Sequence, residues 1–238
     1  MSSIVLITTA THPPQGVPYL KMTNVAARHL TSKAAVFWWA AHGIEKIVIA
    51  DATGATLLHS EEASMLRQMN VDVEQISYEQ DVEVTKDKGK GHAEGELIRF
   101  ALANSVFLAE TPNFFKCTGK VYCRNFHEIY GMIERNGIRN IFWRNIDTGD
   151  LLESRMDLRF FYTTRHFCET HLLPAYQQAD DKSASAEYYC FKTLQEQLLA
   201  GTALRPMLSG FCGGTGKPYF DSSLGALDAH YPCWAEMA

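Results

Sequence analysis

Apolar and polar positions along the first half of the chain alternate between two periods. Ile4 to Thr8 is a short β-branched run that predicts a buried strand. Residues 11–24 hold three prolines and a glycine and predict a loop. Across residues 25–42, Ala27, Leu30, Ala34, Phe37, Trp38 and Ala41 recur near helical spacing, and Gly43 ends the run. Lys46 to Ala50 predicts a second buried strand, closed by Asp51. Residues 60–69 predict a helix, Val71 to Ile76 a third strand, 79–91 a charged loop and 92–105 another helix. Phe114 to Lys116 predicts a fourth strand, with Thr118 and Gly119 turning out of it.

The second half is less regular. Ile141 to Arg144 and Leu158 to Tyr162 predict strands, and 164–178 and 185–200 predict helices. A glycine-rich stretch, SGFCGGTGKPYF, follows residue 201. Strand alternating with helix predicts an α/β fold, a mostly parallel sheet flanked by helices. One domain over 1–238 is expected, with a ligand-binding half to about 125 and an acceptor-side half after it. Right-handed crossovers bring the strand C-terminal ends to one edge, where such sheets bind ligands. Thr8, Thr9, Asp51 and the Lys88–Gly91 loop are predicted to meet there.

Composition narrows the classes. The charged fraction is 21% and the formal net charge −5, with no basic stripe, so nucleic acid is not expected as a partner. The six cysteines form no CxxC pair and no zinc spacing, which predicts free thiols and a reducing compartment. The N-terminal apolar run is too short for a signal peptide or a membrane span. A cytoplasmic protein is expected, and peripheral contact with a membrane surface is compatible with that.

The chemistry-bearing stretches each have a plain structural alternative. KDKGKGHAEGEL places Lys88, Gly89, Lys90 and Gly91 before a helix with Glu94 in its first turn. Glycines let a backbone approach a phosphate and lysines supply charge; the alternative is a solvated loop feeding a capped helix. SGFCGGTGKPYF is not a Walker A loop, because Phe211 stands at the required glycine and Pro218 replaces Ser/Thr. It reads instead as a flexible loop that closes over a ligand, or as an ordinary surface loop. Asp51 offers a carboxylate to a nucleoside or simply makes a turn. Asp157 and Arg159, two apart in MDLRFF, point to one face of a strand and make either a site or a salt bridge. Glu187 opens a helix, where it also suits the macrodipole.

In order, these pieces resemble GT-A nucleotide-sugar glycosyltransferases. They are more closely similar to short bacterial transferases of lipopolysaccharide, O-antigen and capsule gene clusters. GKGHAEG, FKCTGK, MDLRFF, SAEYY and SGFCGGTG carry the likeness over about residues 3–220. The resemblance implies sugar transfer from a nucleotide-sugar donor to a hydroxyl of a growing, lipid-linked or free, surface glycan. It implies Lys88, Lys90 and Lys116 at the donor phosphate and Thr9 and Asp51 at the nucleoside. Thr8, Gly89, Gly91, Glu94, Thr118, Lys120 and Arg159 are further donor-site candidates. Asp157 or Glu187 is the implied base, a choice the residues leave open.

Where relatives carry Asp-x-Asp for Mg²⁺ or Mn²⁺, this chain reads Lys-Cys-Thr-Gly-Lys. That departure favours metal-independent transfer, because lysine can neutralise phosphate charge. Asp157 and the Asp180–Asp181 pair remain the metal candidates. A sugar nucleotidyltransferase and a non-catalytic nucleotide-sugar-binding protein are the rival readings. LITTATHPPQG lacks the glycine-rich, Arg- and Lys-bearing loop usual in nucleotidyltransferases.

Overall fold

The computed structural model describes residues 3–17, 20–145, 155–180, 182–213, 216–220 and 230–237. Elements run β1 (Ile4–Thr9), α1 (Val25–Ala41), β2 (Lys46–Asp51), α2 (Ser60–Gln68), β3 (Asp72–Ser77), α3 (Val82–Lys88), α4 (Lys90–Asn104) and α5 (Val106–Glu110). There follow β4 (Asn113–Thr118), β5 (Val121–Cys123), α6 (Phe126–Asn136), β6 (Ile138–Asn145), β7 (Arg155–Met156) and β8 (Phe160–Thr164). Helix α7 (Arg165–Phe167) passes through a π turn (Cys168–Leu172) into α8 (Leu173–Gln178). The chain ends with α9 (Ala186–Gln197), β9 (Leu199–Leu204), β10 (Leu208–Phe211), β11 (Pro218–Phe220) and β12 (His230–Met237).

The α/β architecture is as expected. The main sheet runs β3-β2-β1-β4-β8-β6-β12-β9, with β7 on β6. Its first four strands are parallel, and from β8 onward every pairing is antiparallel. The parallel strands are almost wholly apolar because helices cover both faces. One face packs Leu6, Val48, Phe114 and Phe161 beneath α4, α8 and α9. The other packs Val5, Ile7, Ile49 and Phe115 against Trp39 of α1 and Ile129 and Ile133 of α6. A small sheet, β11-β10-β5, leans on the end of β4.

Three expectations need correction. The apolar stripe assigned to α1 faces the wrong way: Leu30 is 70% exposed, while Arg28, Ser32, Ala35, Val36 and Trp39 are buried. Residues 79–91 are not one loop, because Asp81 caps the backbone N–H groups of Glu83 and Val84 and starts α3. The glycine-rich stretch is not a plain loop but the β10–β11 hairpin; its Gly214 and Thr215 lie outside the described residues.

All six cysteines are free, and only Cys212 is not buried. Among the described residues no helix is long and apolar enough to cross a membrane.

Candidate functional site

Register puts the site at the C-terminal edge of the parallel strands. Thr9 pairs with Asp51 and Thr8 with Thr118, so the ends of β1, β2 and β4 are level. Two polar networks grow from that edge.

The first is built on Glu94, one turn into α4. Its Oε1 accepts from Thr8 Oγ1 at 2.7 Å, Lys116 Nζ at 2.7 Å and Thr118 Oγ1 at 3.3 Å. Lys116 is fully buried and also donates to Thr118 Oγ1 (2.9 Å) and the Leu158 carbonyl (2.7 Å). A lysine has three N–H donors, and all three are taken inside the protein. This ammonium holds β4, α4 and the β7–β8 turn together.

Asp157 and Arg159 border this network from that turn, not from a strand face as expected. Arg159 Nε reaches Asp157 Oδ1 at 2.8 Å and Nη2 reaches Oδ2 at 2.6 Å; the Arg159 N–H adds a third bond. This fork engages both carboxylate oxygens of Asp157, the salt-bridge arrangement of the two readings open for this pair.

The second network surrounds the β1–α1 loop. Asp51 is 1% exposed; its Oδ2 accepts the Thr11 N–H (2.9 Å), and its Oδ1 accepts the Thr53 N–H (2.8 Å) and hydroxyl. The carboxylate read as a nucleoside ligand is engaged in shaping two loops. Thr9 Oγ1 lies 3.2 Å from Ser32 Oγ. Arg28, on the same buried stripe of α1, donates through Nε to the Ala10 carbonyl (2.6 Å) and through Nη1 to the Met22 carbonyl (2.8 Å). Its Nη2 has no partner among the described residues.

Lys120 completes this half. It follows Gly119, whose absent Cβ would stand 2.8 Å from the Thr8 carbonyl oxygen and from Thr9 Cβ. Lys120 itself stands in the left-handed region at φ +74°, an uncommon state for a residue with a side chain. The Phe211 N–H holds its carbonyl at 2.9 Å, and Gly210, at φ +125°, has no room for any Cβ against it. The side chain is 4% exposed, as is Arg28, and its Nζ has no hydrogen-bond or ion-pair partner among the described residues. Burial first, then the Arg28 guanidinium, pull the Lys120 amine down to about 7, while Glu94, Asp51 and Cys212 act in the opposite direction. Burial likewise lowers Arg28, opposed by Asp51.

The β10–β11 hairpin roofs both cations. A Cβ on Gly213 would lie 3.6 Å from Arg28 Nη1 and 3.8 Å from Lys120 Nζ, and the Gly213 carbonyl accepts the Met22 N–H at 3.2 Å. Two buried cations thus lie together beneath Gly213, and the carboxylates that act on Lys120, Asp51 and Glu94, are bonded to other groups. Sequence reading named Lys120 and missed Arg28, Ser32 and Gly213. The available signal was the 28-32-35-36-39 stripe, helical in period but polar at its N-terminal end.

The remaining candidates lie on α3, α4 and α9. Lys88 is the exposed last residue of α3, and Lys90 the half-buried first residue of α4. Gly89 turns the chain between these helices at φ +89°. A Cβ on Gly91 would meet Ala186 Cβ at 2.7 Å, so this glycine seats α9 on α4. Glu187 lies half-buried in the first turn of α9. Among the described residues, no three His, Cys, Asp or Glu side chains are grouped to hold a metal ion. Asp180 Oδ1 accepts the Lys182 N–H, and Asp181 lies outside the described residues.

No protein-family model matches the chain, and no curated protein matches it. Among solved structures it is similar to a mannose-1-phosphate geranyltransferase from Thermus thermophilus. That match has TM-score 0.32 and 10% identity, covering 81% of this chain and 68% of that one. It is also similar to a 4-diphosphocytidyl-2C-methyl-D-erythritol synthase, with TM-score 0.36 and 11% identity, covering 82% and 86%. At these TM-scores the likenesses carry no argument about activity.

Proposed function

We propose that the chain is a transferase acting on nucleotide-activated sugars or sugar phosphates, with a phosphoryl group held between Arg28 and Lys120. The observation that carries this reading is the pair itself: two nine-tenths-buried cations at the C-terminal edge of the parallel strands, facing an Asp51 carboxylate already bonded to Thr11 and Thr53. Burying a cation is costly unless it is paired, and an oxyanion would pair both. Thr9 and Ser32 add hydroxyls beside it.

Of the two transfer chemistries, nucleotidyl transfer to a sugar phosphate fits the carboxylates better. A phosphate oxygen is anionic near neutral pH and attacks phosphorus without a base. A sugar hydroxyl needs a carboxylate to take its proton. Asp51 and Asp157 have both oxygens engaged, and Glu94 Oε1 is taken by Lys116 and two threonines. Glycosyl transfer to a surface glycan is the second reading. The motif order in the sequence favours it, and Glu187 is its remaining base candidate.

A thermal-shift panel of UDP, GDP, CMP and dTDP tests the site, because binding to the native state raises stability by mass action. One nucleotide should stand out, and Arg28→Met should abolish its shift. No shift with any nucleotide, or a shift unchanged in Arg28→Met, overturns the reading. Pyrophosphate release from a nucleoside triphosphate and a sugar 1-phosphate then marks nucleotidyl transfer. Release of free nucleotide from a nucleotide-sugar, lost in Glu187→Gln with donor binding intact, marks glycosyl transfer.

A further inference from the structure

We propose that Glu94 recognises the hydroxylated part of the ligand: its second oxygen, Oε2, accepts a sugar or ribose hydroxyl while the phosphoryl group lies on Arg28 and Lys120. This rests on the anion site of the functional reading and holds for either transfer chemistry.

The two oxygens of Glu94 are used differently. Oε1 accepts three hydrogen bonds, from Thr8 Oγ1, Lys116 Nζ and Thr118 Oγ1. Oε2 accepts none among the described residues. Tyr176 supplies no donor either: its hydroxyl is buried and unpartnered, although Glu94 is the strongest charge acting on it. The Glu94 side chain is 23% exposed, whereas that of Lys116 is fully buried, so the carboxylate is the member of the pair that a ligand can reach. Satisfying Lys116 would take one acceptor and no threonines. Three donors from β1 and β4 on one oxygen instead fix the plane of the carboxylate and keep the acceptor capacity of the other.

The fold sets that carboxylate beside the two cations. Thr8 and Thr9 are consecutive on β1, so their side chains leave opposite faces of the sheet. Thr8 meets Glu94 of α4, and Thr9 meets Ser32, one turn along α1 from Arg28. The Gly119 N–H donates to the Thr8 carbonyl at 2.6 Å and carries the chain from Thr118 to Lys120 across these strand ends. Of the acidic groups that act on the Lys120 amine, Glu94 is the strongest. A ligand lying over the ends of β1 and β4 therefore meets Arg28 and Lys120 on one side and Glu94 on the other.

Charge decides which part of the ligand goes where. Glu94 and Lys116 are neutral as a pair, so they do not repel a phosphoryl group held nearby. Oε2 can bond an O–H but not an oxyanion. A fixed acceptor of this kind favours a ligand with a hydroxyl and discriminates against an analogue that lacks one.

Methyl phosphate, ribose 5-phosphate and glucose 1-phosphate are the probes, because they share a phosphate monoester and differ in hydroxyl groups. Dissociation constants are measured by isothermal titration calorimetry on the wild type and Glu94→Gln, at one pH and ionic strength. A hydroxylated ester should bind the wild type at least about tenfold more tightly than methyl phosphate. Glu94→Gln should remove that advantage and leave methyl phosphate affinity unchanged. A loss shared equally by all three esters marks a merely structural role and overturns the proposal. If methyl phosphate binds in an Arg28-dependent way and the hydroxylated esters bind no more tightly, or keep their advantage in Glu94→Gln, the role of Glu94 is overturned and the anion site stands. If none of the three binds, both fall. Should Glu94→Gln not fold, the Lys116→Met/Glu94→Gln variant, which removes the cation together with the carboxylate, carries the same comparison.

Discussion

Replacing Lys120 by methionine should make the free protein more stable, and by an amount that depends on pH. The two side chains have similar reach, so the change removes a charge site and leaves the packing largely intact. In the unfolded chain the lysine has its ordinary value of 10.5, and in the native protein burial and Arg28 lower it to about 7. The native value lies below the unfolded one, so between these values the unfolded state binds more protons and native stability rises with pH. Below about 7 both states are protonated and the full cost is present. At about 1.4 kcal/mol per pH unit of lowering, that cost has a ceiling of about 5 kcal/mol. Lys120→Met removes it. Urea unfolding of both proteins from about pH 6 to 10, followed by circular dichroism, should show the largest advantage for the variant at the acid end. The gap should close by about 1.4 kcal/mol per pH unit above about pH 7.5. Titrations common to both proteins cancel in this difference. Two curves that run parallel in pH would refute the reasoning, because Lys120 would then be protonated throughout.

Lys116 should behave in the opposite way. Lys116→Met leaves Glu94 without its cation and should cost about 3–5 kcal/mol in denaturant unfolding, with part of the loss recovered in the Lys116→Met/Glu94→Gln double variant. Gly95→Ala would set a Cβ 2.4 Å from Tyr176 Cβ, close to the backbone of α8, and should lower stability by about 1–3 kcal/mol. Gly201→Ala on β9 meets nothing within 4 Å and should leave the melting temperature unchanged or raise it.

Strand and helix identity in the first half was legible because the parallel strands are buried on both faces and read as continuous apolar runs, as in IVLITT and KIVIAD. Thr8, Thr9 and Asp51 could be placed at one edge from strand order alone. Which polar group is engaged and which is not could not. Lys116 and Lys120 are four residues apart and alike in local sequence. One meets Glu94, Thr118 and Leu158, contacts brought from α4 and the β7–β8 turn; the other meets Arg28. The GKG stretch is ambiguous for the same reason. Its glycines suit a phosphate loop or a helix contact equally, and Ala186, ninety-five residues away, decides for the contact at Gly91.

The chain's own pattern thus determined an α/β fold, its helix-flanked parallel half and the edge where the parallel strands end. These follow from hydrophobic period and strand handedness, which are local properties. Tertiary structure alone decided the chemistry of that edge. A buried charge takes its state from partners distant in sequence. Only the folded chain sets Arg28 and Lys120 together beneath Gly213 while engaging Asp51, Glu94 and Asp157 elsewhere.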